Sequence, residues 1–256
     1  MVLNQFSLEG KSGIVTGGGA GIGKAMAMGL AQAGADVMIA GRNLERLTAA
    51  AEEITLGGGG RAIPLQVDMR EADSIQALVE RAVDAFGAID FLFNNAGTIH
   101  RAPVEDFPKD KWDEVIQVNL TAPFLLAQAV ARVMIANGTK GKIVNTSSLI
   151  AVQGGKNVPA YAASKGGLTL LTKSMCNAWA ERGICVNAIG PGWVKTELTE
   201  ALREDKERYG QITSRIPMGR WAEPEEFAGV AVFLASDASN YINGQVIFVD
   251  GGWLAN

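Results

Sequence analysis

Residues 12–23 read Ser12-Gly13-Ile14-Val15-Thr16-Gly17-Gly18-Gly19-Ala20-Gly21-Ile22-Gly23. The short run Ser12 to Thr16 predicts a strand, and the pattern from Gly21 to Ala33 predicts a helix. The glycines between them let the backbone turn sharply and come close to a pyrophosphate. The helix start adds unpaired N–H donors and the positive end of its dipole. The spacing is GxxxGxG through Gly17, Gly21 and Gly23, not GxGxxG. A purely structural tight turn would use the same glycines; the strand before and the helix after point to a phosphate cradle.

The same alternation continues outward. Strands are predicted at Val37–Ala40, Ala62–Val67, Ile89–Phe93, Lys142–Thr146, Ile184–Ile189 and Gln245–Val249. Between them lie predicted helices from Asn43, as the cap, to Ile54, and over Glu71–Phe86, Lys109–Ala136, Tyr161–Arg182 and Glu223–Ala235. Seven strands alternating with helices predict a doubly wound parallel sheet with helices on both faces, an α/β fold of Rossmann type. No linker divides the chain, so residues 1–256 read as a single domain. Pro191–Pro217 breaks the rhythm. It is the longest connection after a strand and leaves that strand's carboxyl end, where open α/β sheets bind ligands. A mobile substrate lid over residues 191–217 is the expectation, with a packed surface helix as the alternative.

Composition excludes several classes. With 48% hydrophobic and 20% charged residues, the chain can fill a large core and keep a soluble surface. A net charge of −4 offers no basic excess for nucleic acid or an anionic membrane. No run of about 18 uncharged apolar residues is present, and Met1–Lys11 lacks the basic-then-apolar pattern of a signal peptide. Cytoplasmic residence is expected. Cys176 and Cys185 are the only cysteines and His100 the only histidine. No zinc or other metal site is expected, both cysteines read as reduced core residues, and a Ser-His-Asp triad is disfavoured.

Tyr161 and Lys165 stand four residues apart at a helix start, on one face. An ammonium beside a phenol favours the phenolate and brings it nearer to acid–base work at neutral pH. An ordinary amphipathic helix face would show the same spacing. Further strings occur in order along the chain: Asn94-Asn95-Ala96-Gly97 after the fourth strand, Val118-Asn119-Leu120, Ser147-Ser148 after the fifth, Tyr161-Ala162-Ala163-Ser164-Lys165, Pro191-Gly192 leading to Thr196, and Asp250-Gly251-Gly252 closing the last strand. Taken together with TGGGAGIG, they resemble the short-chain dehydrogenase/reductase family over the whole length, through its TGxxxGIG, NNAG, VNL, YxxxK and PGxxxT motifs.

That resemblance implies a nicotinamide-dependent interconversion of a secondary alcohol and a ketone. By analogy Tyr161 is the acid/base, and Lys165 lowers its pKa and holds the nicotinamide ribose. Ser148, at the family's place thirteen residues before the tyrosine, holds the substrate oxygen, leaving Ser147 a supporting hydroxyl. Asn119 supports a water that relays protons through Lys165. The cofactor is expected on Gly17, Gly21, Ile22, Gly23, Asn95, Ala96, Gly97, Pro191, Gly192 and Thr196, as well as Tyr161 and Lys165, with Asp68 at the adenine. The second strand ends Ala40-Gly41-Arg42-Asn43 without an acid, and Asp36 lies before it, so Arg42 favours NADP(H). NAD(H) stays open, because Ala20 occupies the place where many NADP-preferring members carry a second basic residue. The flanks resemble the family's sugar-acid branch, the gluconate 5-dehydrogenases and 2-keto-3-deoxygluconate dehydrogenases. They share Phe6–Lys11, a basic pair at His100-Arg101, Lys195-Thr196-Glu197, Gly219-Arg220-Trp221 and Gly251–Leu254. Arg101, with His100, is expected to grip a substrate carboxylate. A 3-oxoacyl-thioester reductase, a general ketone or polyol reductase, and a non-catalytic nucleotide-binding module remain as alternatives. The family is usually homotetrameric.

Overall fold

A computed structural model describes all 256 residues. Seven strands form one sheet: β1 (Ser12–Thr16), β2 (Asp36–Gly41), β3 (Ala62–Gln66), β4 (Phe91–Asn94), β5 (Lys142–Thr146), β6 (Cys185–Pro191) and β7 (Val246–Val249). Their order is β3-β2-β1-β4-β5-β6-β7, and every pairing is parallel. Parallel strands cannot be joined by tight turns, so helices cross over on both faces. Two apolar clusters of 21 buried residues each result, one per face, so neither side of the sheet is open to water. Val15 and Phe93 belong to one cluster, and their neighbours Ile14 and Leu92 to the other, as strand alternation requires. The winding reverses between β1 and β4, and this is the switch point where such sheets bind ligands.

The helices are α1 (Gly21–Gln32), α2 (Leu44–Gly57), α3 (Ala72–Phe86), α4 (Lys109–Ile116), α5 (Ala122–Asn137), α6 (Ile150–Gln153), α7 (Pro159–Trp179), α8 (Glu200–Glu204), α9 (Lys206–Thr213) and α10 (Ala228–Ala235). Asn43 caps α2 as expected, its side chain accepting from Arg46 N at 2.9 Å. The long helix predicted from Lys109 is interrupted. A π turn, Gln117–Thr121, separates α4 from α5. Pro123 lacks the N–H that an unbroken α-helix would direct to the Asn119 carbonyl, so the register slips there. The whole stretch Lys109–Asn137 is long and apolar enough to cross a membrane by length and composition, yet Leu126, Val130 and Met134 are buried against the sheet.

The region expected to be a lid carries α8 and α9. Its far half is anchored rather than free: Ile212, Ile216, Trp221, Trp253 and Leu149 form a third buried cluster. Tyr209 stacks on Trp221 at 5.1 Å, and Trp221 Nε1 donates to Thr213 Oγ1 at 3.0 Å. Two further expectations change. Asp36 opens β2 instead of preceding it, and its carboxylate is held by Arg61. Both cysteines are free and each is partly buried: Cys176 packs against the apolar core, whereas Cys185 lies outside it, its Sγ facing the Asn240 carbonyl at 3.6 Å.

Candidate active site

The carboxyl ends of β1, β4, β5 and β6 converge on a cleft of about 1780 Å³. Single small-ligand pockets are typically about 300–1,000 Å³, so this one has room for a dinucleotide and a second molecule. Its floor is the glycine loop. Gly17 has φ +68° and Gly21 φ +51°, which side chains rarely adopt. A Cβ at Gly23 would run into the Gly17 carbonyl and the Asn95 amide, which explains the GxxxGxG spacing. The N-cap of α1, Ala20, makes no side-chain hydrogen bond, so the first N–H groups of that helix are left for a ligand. Backbone cradle and uncapped helix start together fit a pyrophosphate.

Thr16 locks this loop to the next strand. Its hydroxyl accepts from Asn95 N and Ala96 N, both at 3.0 Å, and its carbonyl accepts from Asn95 Nδ2 at 3.0 Å. Asn95 and Ala96 thereby line the cleft beside Gly17 and Gly97. Asn119, on the π turn and fully buried, pins the following residue: Oδ1 accepts from Thr98 N at 2.8 Å and Nδ2 donates to Thr98 O at 2.8 Å. A further bond runs from Asn119 Nδ2 to Ser164 Oγ at 3.2 Å.

Helix α7 brings Tyr161 and Lys165 into the same cleft, with Nζ 5.6 Å from the tyrosine ring centroid. Lys165 is almost fully buried. Nζ donates to Thr146 O at 2.6 Å, and burial brings its pKa down to about 8. Burial pushes the Tyr161 phenol up, against a hydrogen bond with Ser148 and the charge of Arg101. Ser148 and Arg101 thus act to lower the phenol, while the lysine expected to do so is engaged with Thr146. The two serines lie in different surroundings. Ser148 faces the phenol, and Ser147 is paired with Thr169 of α7 at 2.7 Å.

Pro191, Gly192 and Thr196 line the opposite wall, and the Thr196 methyl packs against Gly21. Arg101 also lines the cleft, with Nη2 donating to Leu198 O at 3.3 Å. His100 does not line it. The ring meets Phe107 edge-on at 5.5 Å, away from the cleft, because the chain between Gly97 and Lys109 folds back on itself. Several cleft residues gave no local sequence signal: Gln153, Lys156, Trp193, Arg203, Arg208 and Arg215. Arg215 lies over Trp253 at 4.2 Å, and Trp253 Nε1 donates to Gln153 Oε1 at 2.8 Å. None of Arg101, Lys156, Arg203, Arg208 and Arg215 has a carboxylate partner.

A smaller recess of about 330 Å³ adjoins the loop at the ends of β2 and β3, lined by Gly19, Ala20, Arg42, Asn43, Arg46 and Asp68 among others. Arg42 sits there without an acidic partner. Asp68 is held by Arg70, which brings its carboxyl down to about 2, so both its oxygens are engaged.

Residues 17–254 match the family model described as enoyl-(acyl carrier protein) reductase. The chain is 48% identical over 255 residues to 2-dehydro-3-deoxy-D-gluconate 5-dehydrogenase of Escherichia coli (strain K12), covering 100% of both. The crystal structure of a gluconate 5-dehydrogenase from Burkholderia cenocepacia J2315, in complex with NADP and tartrate, superposes with a TM-score of 0.93 at 41% identity, covering 100% of both chains. That of a short-chain type dehydrogenase/reductase from Mycobacterium marinum superposes with a TM-score of 0.94 at 35% identity, again over 100% of both.

Proposed function

As the chain belongs to the short-chain dehydrogenase/reductase family, we propose that it is an NADP(H)-preferring dehydrogenase that interconverts a hydroxyl and a ketone on a sugar acid, such as gluconate/5-ketogluconate or 2-keto-3-deoxygluconate. The observation that carries this reading is the cation-rich cleft wall: Arg101, free of any acid, lines the same cleft as Ser148 and Tyr161. A protein of net charge −4 that collects unpaired cations around one cleft is built for an anion. The names of its relatives, with the NADP bound in one of them, point the same way.

The nicotinamide cofactor, when bound, supplies or accepts the hydride. The glycine loop and the α1 N-terminus would hold its pyrophosphate, Asn95–Gly97, Pro191–Gly192 and Thr196 would line its path, and Lys165 would hold the ribose. Arg42 meets the 2′-phosphate, and Asp68 is assigned to the adenine edge. Ser148 holds the substrate oxygen, and Tyr161 donates its proton to that oxygen in reduction and removes it in oxidation. The tyrosine is re-protonated by way of Lys165. The Asn119 side-chain amide is spent on Thr98 and Ser164, so a relay water is held by the Asn119 backbone carbonyl, which has Pro123 four residues on and no N–H there. Arg101 grips the carboxylate, in the two-pronged geometry a guanidinium offers. Residues 191–217 form the lid. By the same family resemblance the enzyme is a cytoplasmic homotetramer, and exposed Phe124 and Ile135 on α5 and Leu170 on α7 offer apolar surface for such contacts. The test is kcat/KM with NADPH over keto-gluconates, uncharged ketoses and acetoacetyl thioesters. Preference for a thioester or an uncharged ketose overturns the sugar-acid reading and leaves the dehydrogenase standing.

A further inference from the structure

We infer that Arg46 is the second cation for the 2′-phosphate of NADP, and that Glu197 of the lid occupies its place when no phosphate is there. This rests on the NADP preference proposed above. Arg46 and Glu197 are 151 residues apart, yet Arg46 Nη1 meets Glu197 Oε2 at 2.8 Å. The contact runs from the first turn of α2 to the residue just after Thr196, so it spans the mouth of the cofactor groove. Arg46 stands four residues beyond Arg42, in the first turn of α2, lines the same recess, and lies against the glycine loop: a Cβ on Gly19 would meet its Cγ at 3.5 Å. That is the neighbourhood of Ala20, where the loop lacks a basic residue. A charge missing from the loop is thus supplied from the facing helix.

The geometry also makes the lid carboxylate a weak tenant. Both side chains are half or more exposed, 51% for Arg46 and 67% for Glu197. Exposed ion pairs of this kind are worth little, so a phosphate bearing about two negative charges and facing Arg42 as well displaces the carboxylate. The start of α2 adds its positive dipole end to that position, although one of its N–H groups, that of Arg46, is already taken by the Asn43 cap. Of the carboxylates that line the recess, Asp68 is held by Arg70 and Glu114 by Lys111, while Glu197 reaches Arg46 from the adjoining cleft and is the one that competes for it. NADP therefore takes Arg46 from the lid, whereas NAD, with a bare hydroxyl, leaves the Arg46–Glu197 bridge closed.

The test is titration of the full chain with NADPH and NADH, followed by cofactor fluorescence, in wild type, Arg46→Ala, Glu197→Gln and the double variant. Arg46→Ala is expected to weaken NADPH about ten-fold, the low end for a charge-assisted bond at an exposed site, and NADH less than two-fold. Glu197→Gln is expected to tighten NADPH about two- to five-fold by removing an exposed competitor, with NADH unchanged. In the Arg46→Ala background Glu197→Gln should have no effect. Hydrogen exchange at residues 197–204 should rise with NADPH and not with NADH. Equal weakening of both cofactors by Arg46→Ala overturns the proposal. So does an unchanged NADPH affinity in Glu197→Gln, or the same tightening with Arg46 absent. A wild type that binds NADPH no better than NADH defeats the cofactor reading itself, and that shows before any variant is made. Glu197→Gln alters only an exposed side chain, so its result stands even if Arg46→Ala folds poorly.

Discussion

Replacing Arg101 with alanine separates the proposed substrate from its rivals. In the structure its only side-chain partner is the Leu198 carbonyl at 3.3 Å, and the residue is exposed at the cleft mouth. Removing it strands no buried acid of the protein, so on the pH plateau, away from the limb set by Tyr161, the loss is that of the substrate contact. Truncating a buried charge pair typically costs about 2–5 kcal/mol, and an exposed site belongs at the low end, near ~2 kcal/mol. That is roughly thirty-fold in kcat/KM for a keto-gluconate. An uncharged ketose should lose almost nothing. A second signature follows from the phenol. Burial raises Tyr161, and Arg101 is one of the groups that oppose it. Without that charge the phenolate forms less readily, so the pH limb for oxidation of an uncharged alcohol moves to higher pH. The assay is steady-state kinetics of both proteins on both substrates across pH, with thermal melting as a check on folding. Parallel losses on charged and uncharged substrates would refute the carboxylate grip and mark Arg101 as structural.

Tyr161→Phe should keep the fold and cofactor binding and lose about 10²–10⁴-fold in kcat; near wild-type turnover would remove Tyr161 as the acid/base. Lys165 predicts a pH dependence of stability. Its folded pKa, about 8 by burial, lies below the ordinary 10.5, so above pH 8 the folded state sheds a proton that the unfolded chain keeps until about 10.5. Stability of the cofactor-free protein should therefore rise across that window by roughly 3 kcal/mol, and urea unfolding of Lys165→Met should lack the rise; an equal slope in both proteins would show that Lys165 is not the group. Trp221→Ala removes a fully buried ring that bonds Thr213 and stacks on Tyr209, and should cost about 3–5 kcal/mol in chemical denaturation; a loss below 1 kcal/mol would mean that the segment carrying α9 is not anchored as described.

The sheet was legible because it rests on short-range patterns. Seven apolar runs, the turns between them and the glycine loop state the alternation of strand and helix, and a parallel order then leaves few topologies. Gly17, Asn95, Tyr161 and Lys165 were legible for the same reason, since each sits at a fixed offset from a strand end or helix start, whereas the bonds from Thr16 that lock Asn95 and Ala96 were not. Even the π turn left a mark in Pro123, which the helical periodicity around it concealed. Other features have no local signal. His100 turns to Phe107, and Arg215 settles on Trp253, because of where separate segments meet. Whether Lys165 acts on Tyr161 or on Thr146 depends on distances of a few ångströms that spacing along one helix does not determine. The bridge from Arg46 to Glu197 joins residues 151 positions apart. Periodicity along the chain decides which elements form, because the apolar face of each helix or strand is written in nearby residues, even where a strand's hydrogen bonds go to a distant partner. Which charges face one another across the cleft is decided by how those elements pack, and only the tertiary structure brings them together.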